Sequence, residues 1–151
     1  MRQNYEDAMA IVARYGRPDL FITMTCNPKW QEIVDNLHPG QQANDRPDLV
    51  ARVFHAKLTE LLNDITVKHV LGVPVAHLHV IEFQKRGLPH AHMLFILRGE
   101  DKLRKASDID QVVCAEIPDK DKDLQLFDII QSTMIHGPCG VLNPHSVCMV
   151  D

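Results

Sequence analysis

The 151 residues predict an α+β fold in which helices cover one face of a central, largely antiparallel sheet. Three observations carry that prediction. Helical and strand-like segments follow in the order helix, strand, helix, strand, strand, strand, helix. Two strongly apolar runs, 75–83 and 90–98, flank the short connection "QKRGLP", the pattern of a hairpin. Apolar residues make up 45% and charged residues 24%, ordinary for one soluble globular domain, so a single domain over 1–151 is expected.

Each element has its own signal. "DAMAIVARYG" (7–16) has helical spacing and stops at Gly16, and "DLFITMTCN" after it is rich in strand formers. In "NPKWQEIVDN", Asn27 as N-cap and Pro28 in the first helical position predict a short helix directly at the end of that strand. From Pro47 to about Ile65, apolar residues recur every three or four positions (Leu49, Val50, Val53, Phe54, Leu58, Leu61, Leu62, Ile65), one face of an amphipathic helix that Gly72 and Pro74 close off. "VAHLHVIEF" and "HAHMLFILR" read as paired strands, "DQVVCAEI" (110–117) as a further strand, and "DLQLFDIIQSTMI" as the last helix. The segment from His136 onward reads as loop.

Composition narrows the function classes. Four cysteines, no signal-peptide pattern and no apolar run near the roughly 20 residues of a membrane span point to a reducing compartment and away from the membrane. A net charge of -4 and a pI near 6.1 leave no basic footprint, which counts against nucleic-acid binding. Local clusters (Lys85 with Arg86; Lys102, Arg104 and Lys105) and a bound cation would offset it.

The chemistry concentrates in "VIEFQKRGLPHAHMLFIL" (80–97). Strand alternation puts His90 and His92 on one face. A three-residue Arg86-Gly87-Leu88 loop, with Gly87 left-handed, pairs Glu82 with His92 and Gln84 with His90. Glu82, His90 and His92 then converge, and two imidazoles with a carboxylate make a competent divalent-metal site. Ile81, Phe83, Ala91, Met93 and Phe95 are expected to pack on the helices from the other side. A second pair, His77 and His79, falls on the face opposite Glu82 without a carboxylate and reads as structural.

At this point the chain resembles a known family, the Helitron-like N-terminal domain, which is the Rep-type HUH endonuclease portion of rolling-circle transposases. The resemblance rests on "DAMAIVARYGRPDLFITMTCNPKWQEI", "RPDLVARVFHAKLTELL", "VIEFQKRGLPHAHMLFIL", "AEIPD" and "MIHGPCG", in that order, and covers nearly the whole chain. It implies a Rep-like, ferredoxin-like core in which His90-Ala91-His92 is the HUH motif and Glu82 matches the third-ligand spacing of related viral Rep endonucleases. It further implies Mg2+ or Mn2+ as cofactor, single-stranded DNA at a transposon end as partner, and a nuclear location, otherwise a cytoplasmic one. The family's tyrosine, which attacks a phosphodiester, has no counterpart here: the only tyrosines are Tyr5 and Tyr15, both before the first strand and read as structural. No G-x-x-x-x-G-K-[ST] loop is present either, so the chain is expected to be a partial endonuclease domain without the helicase that follows it in the family.

"FITMTCNP" corresponds to the first Rep motif, where Thr23 and Thr25 are candidate phosphate contacts beside Lys85 and Arg86; Phe21 and Trp30 have the chemistry to stack on bases, with core packing the preferred reading. In the last segment His136, Cys139, His145 and Cys148 offer a donor set for structural zinc, with free thiols or a capped loop as the alternatives. Three functions follow: an HUH endonuclease domain lacking its tyrosine, a non-catalytic remnant that binds metal or single-stranded DNA, and, from the donor set alone, a 2-His-1-carboxylate iron enzyme that no second-substrate pocket supports.

Overall fold

The computed structural model describes residues 2–83, 87–114, 116–135, 141 and 144–145. The chain divides into two compact units, Met1–Ile109 and Asp110–Asp151. In the first, α1 (Arg2–Tyr15) leads to β1 (Leu20–Thr25), the short α2 (Gln31–Val34), a single 3-10 turn (Ala43–Asp45), α3 (Pro47–Thr66) and the hairpin strands β2 (Pro74–Phe83) and β3 (Pro89–Leu97). α4 (Ala106–Val112) begins in the first unit and ends in the second, which also holds α5 (Leu124–Thr133). The fold is α+β, with three strands in the order β1-β3-β2 and both pairings antiparallel.

The core lies between α3 and one face of the sheet. Leu49, Val50, Phe54, Leu58 and Ile65 of α3 are buried in one cluster with Ala91, Met93, Phe95 and Leu97 of β3, the helical spacing meeting the strand alternation. Complete burial of side chains as large as Phe54, Phe95 and Leu58 stabilises the fold by about 1.5–3 kcal/mol each. Polar anchors fix the strand register. The Asp19 carboxylate accepts from the Leu97 backbone N–H at 2.8 Å and from Lys102 Nζ at 2.7 Å, while the Asp19 N–H donates to the Phe95 carbonyl at 2.9 Å. At the start of β2, Asp101 accepts from the Val73 N–H at 2.7 Å, and this bond, followed by Arg98, holds its carboxyl below the usual carboxylate range. Gly72 makes that approach feasible: its φ is +97°, and a Cβ there would meet the Asp101 Cβ at 2.9 Å.

Several expectations need correction. The helix predicted with Asn27 as N-cap starts three residues later, at Gln31 with Trp30 as its N-cap, because the Asn27 side chain accepts from the Lys29 N–H at 2.9 Å and the Trp30 N–H bonds back to the Asn27 carbonyl, closing a turn in its place. No strand forms over 110–117 among the described residues. The segment instead enters α4, whose start is organised by Asp108 accepting from the Arg104 and Lys105 backbone N–H groups, and Ala115 lies outside the described residues. The hairpin pairs Glu82 with His90 and Val80 with His92, two residues from the expected register, so five residues, 84–88, join the strands. Gly87 is left-handed as expected, with φ +75°, and Leu88 packs against the core from within the loop. A two-residue slip preserves which side chains share a face.

The helix-facing side is also less complete than expected. Ala91, Met93 and Phe95 are fully buried, but Ile81 and Phe83 on the edge strand β2 are exposed. Nor is the opposite face wholly bare. Asp7, Ala8 and Ile11 of α1 line one groove with Leu78, His79 and Val80 of β2, and Ile96, on the His90 face of β3, is 1% exposed yet lies outside the main cluster.

Candidate metal centre

Alternation along three adjacent strands assembles the candidate site. On β3, His90 and His92 point away from the buried Ala91 and Met93. On β1, Ile22 and Met24 pack against the core, so Phe21, Thr23 and Thr25 take the other face. Pairing then sets Thr25 opposite His90 and Thr23 opposite His92, while on the other flank Glu82 stands opposite His90. Five of the residues singled out from sequence, Thr23, Thr25, Glu82, His90 and His92, thus share one exposed face.

Within that face the contacts are specific. Thr25 Oγ1 and His90 Nδ1 are 2.6 Å apart, which leaves Nε2 as the nitrogen of His90 for a ligand. Glu82 reaches diagonally, and its Oε1 accepts from His92 Nε2 at 2.8 Å. The two imidazoles meet edge to face, with centroids 4.5 Å apart at 71°. The glutamate side chain is 61% exposed and that of His92 32%, so water and a dissolved ion reach the pair. The three donors do not close around one point, and among the described residues no group of three or more His, Cys, Asp or Glu side chains is gathered as a metal shell.

Other candidates fall elsewhere. His77 and His79 face the helix side, opposite Phe95 and Met93, where they stack on each other at 6.4 Å and His77 stacks on Phe95 at 5.8 Å. Burial, followed by the charge of His79, lowers the His77 pKa below the usual imidazole value. Trp30 lies partly buried against the core with Lys57 Nζ 5.2 Å over its ring, as core packing predicts. Cys26 is buried and its thiol is pushed up to about 11 by desolvation, an unreactive structural residue. Lys85 and Arg86, and His136, Cys139 and Cys148 of the zinc donor set, lie outside the described residues; His145 is exposed. Tyr5 and Tyr15 are both on α1, and Tyr15 is exposed with the Arg14 guanidinium 5.4 Å over its ring.

Sequence reasoning missed two features of this face. Phe21 is not core: it is 63% exposed and lies parallel to His92. Its parity with Thr23 and Thr25 was the available signal. The bond from Thr25 to His90 joins residues 65 positions apart, and only strand pairing brings them together.

A family model described as the Helitron helicase-like domain at N-terminus matches residues 1–95, a span that takes in β1, α3, β2 and the His90-Ala91-His92 motif. No curated protein matches the chain.

Proposed function

The chain belongs to the Helitron helicase-like N-terminal domain family, and from that premise we propose that Glu82, His90 and His92 hold the divalent cation of an HUH endonuclease domain acting on single-stranded DNA. The observation that supports this reading best is the single exposed face shared by Glu82, His90, His92, Thr23 and Thr25. The donor chemistry fits such an ion. Two imidazoles and a carboxylate are donors that such an ion would take, and Glu82 Oε1 already lies 2.8 Å from His92 Nε2. To hold a cation through Nε2, His92 would have to offer that nitrogen's lone pair, with its proton on Nδ1 in place of the one now shared with Glu82. Bound there, Mg2+ or Mn2+ supplies a Lewis acid for a non-bridging phosphate oxygen.

The chain's own residues do the rest. With His90 ligating through Nε2, its Nδ1 carries the proton and donates to Thr25 Oγ1, which orients the ring. The Thr25 hydroxyl hydrogen, and that of the exposed Thr23, are then directed to phosphate oxygens. Lys85 and Arg86, close after Glu82 in the sequence, are further candidates for phosphate contact by their charge.

Cleavage by the family's chemistry needs a tyrosine oxygen in line with the scissile bond, and no tyrosine follows Tyr15 in these residues. Water lacks the tethered positioning worth up to about 7–11 kcal/mol in favourable intramolecular cases. The 151 residues by themselves therefore bind rather than cut. Two measurements on the chain test this. Affinity for a single-stranded oligonucleotide should fall as salt rises and fall again with EDTA; indifference to both would remove the cation from the reading. Intact-mass spectrometry after incubation with the oligonucleotide and Mn2+ should find the chain unmodified. An adduct on Tyr5 or Tyr15 would show instead that α1 brings its own nucleophile.

A further inference from the structure

We infer that Phe21, stacked beside the proposed cation ligands, is the seat of a nucleobase, so that this face grips one nucleotide at both its phosphate and its base. The inference rests on the single-stranded DNA reading above and deepens it. Phe21 is the residue of β1 whose placement hydrophobic burial does not explain: its neighbours Leu20 and Ile22 turn to the core, while its own ring is 63% exposed. That ring is not loose on the surface. It stacks on His92, with ring centroids 5.7 Å apart and planes within 5° of parallel, so an exposed aromatic ring stands directly beside a proposed cation ligand.

Chemistry selects the occupant. On this face Phe21 lies opposite Leu94 and diagonal to His92, with Thr23 next on its own strand and Thr25, His90 and Glu82 farther along. An apolar side chain from another protein would cover Leu94 but leave Thr23 and His92 unsatisfied. A nucleotide satisfies both halves, offering a flat base to the ring and phosphate oxygens to the hydroxyls and the cation. In a single strand the base faces are open, and stacking on an aromatic side chain is tolerant of sequence. Charge makes the base contact necessary. With Glu82 on the face and a net charge of -4, phosphate attraction is weak here compared with a basic groove, and an uncharged contact has to supply part of the affinity.

The test compares oligothymidylate with an abasic oligonucleotide of the same length and charge, both in Mg2+, on the full chain and on Phe21→Ala, Phe21→Leu and Phe21→Trp, with circular dichroism as the folding control. The native chain should prefer the thymidylate, and Phe21→Ala should weaken that complex roughly 5- to 150-fold while leaving the abasic complex unchanged. Phe21→Leu keeps apolar bulk without an aromatic face and should lose the preference as well; Phe21→Trp should retain it. Equal loss on both oligonucleotides would mean that the ring only props His92, and the inference falls. No preference in the native chain also overturns it while leaving the DNA reading intact. No binding of either oligonucleotide would sink the DNA reading itself.

Discussion

The chain carries the same three-residue pattern twice, His77-Leu78-His79 on β2 and His90-Ala91-His92 on β3, and the sheet gives the two pairs opposite environments. His77 and His79 lie on the helix side, stacked on each other and, through His77, on the buried Phe95. His90 and His92 lie on the other side, each with an oxygen partner from a neighbouring strand, Thr25 Oγ1 for one and Glu82 Oε1 for the other. A His-x-His pair is therefore not a metal site in itself. Its neighbours across the strands decide whether the imidazole nitrogens meet oxygen donors or aromatic carbon.

The largest effect expected from that contrast is on metal affinity. Calorimetric titration with Mn2+ should show His90→Ala and His92→Ala weakening binding by at least about a hundredfold, beyond what loss of an outer-shell partner alone produces. His77→Ala and His79→Ala should bind as the native chain does; loss of binding in these and not in the first pair would reverse the assignment. Next comes the outer partner. Thr25→Val removes the hydroxyl that orients His90 while keeping a β-branched strand residue, and should cost about 10- to 100-fold in Mn2+ affinity with the fold intact. An unchanged affinity would reduce the Thr25 contact to a surface hydrogen bond.

The smallest effect belongs to the other pair and is on stability. Burial lowers the folded pKa of His77 below the ordinary value of about 6.5. As pH falls through that value, the unfolded chain takes up the proton first. The contribution of His77 to stability is thus full above about pH 6.5 and lost as pH drops through the lower folded pKa. Thermal melts between pH 5 and 8 should therefore show a slightly shallower acid-side decline for His77→Gln than for the native chain, and identical slopes would contradict the partial desolvation of this exposed ring.

Much of this was legible in the sequence. The apolar spacing from Pro47 to about Ile65 located α3 within one residue, since a helix that buries one stripe must repeat every three or four positions. Alternation separated His77 and His79 from His90, His92 and Glu82, because neighbouring side chains in a strand point to opposite faces whatever the strand pairs with. The strand expected over 110–117 failed for a related reason. "DQVVCAEI" has the β-branched composition of a strand, but composition does not supply a partner, and the Asp108 carboxylate capping the preceding backbone starts a helix instead.

What the sequence determined, then, is which residues share a face, a property fixed locally by a period of two. What only the tertiary structure decided is which of those residues touch. The hairpin settled two residues away from the register that a three-residue loop would set, so Glu82 reaches His92 along a diagonal rather than straight across. β1, held to β3 by Asp19 and by backbone pairing, brought Thr25 onto His90 and Phe21 beside His92. Those contacts depend on how strands separated by dozens of residues settle over the α3 core, and no local pattern encodes that distance.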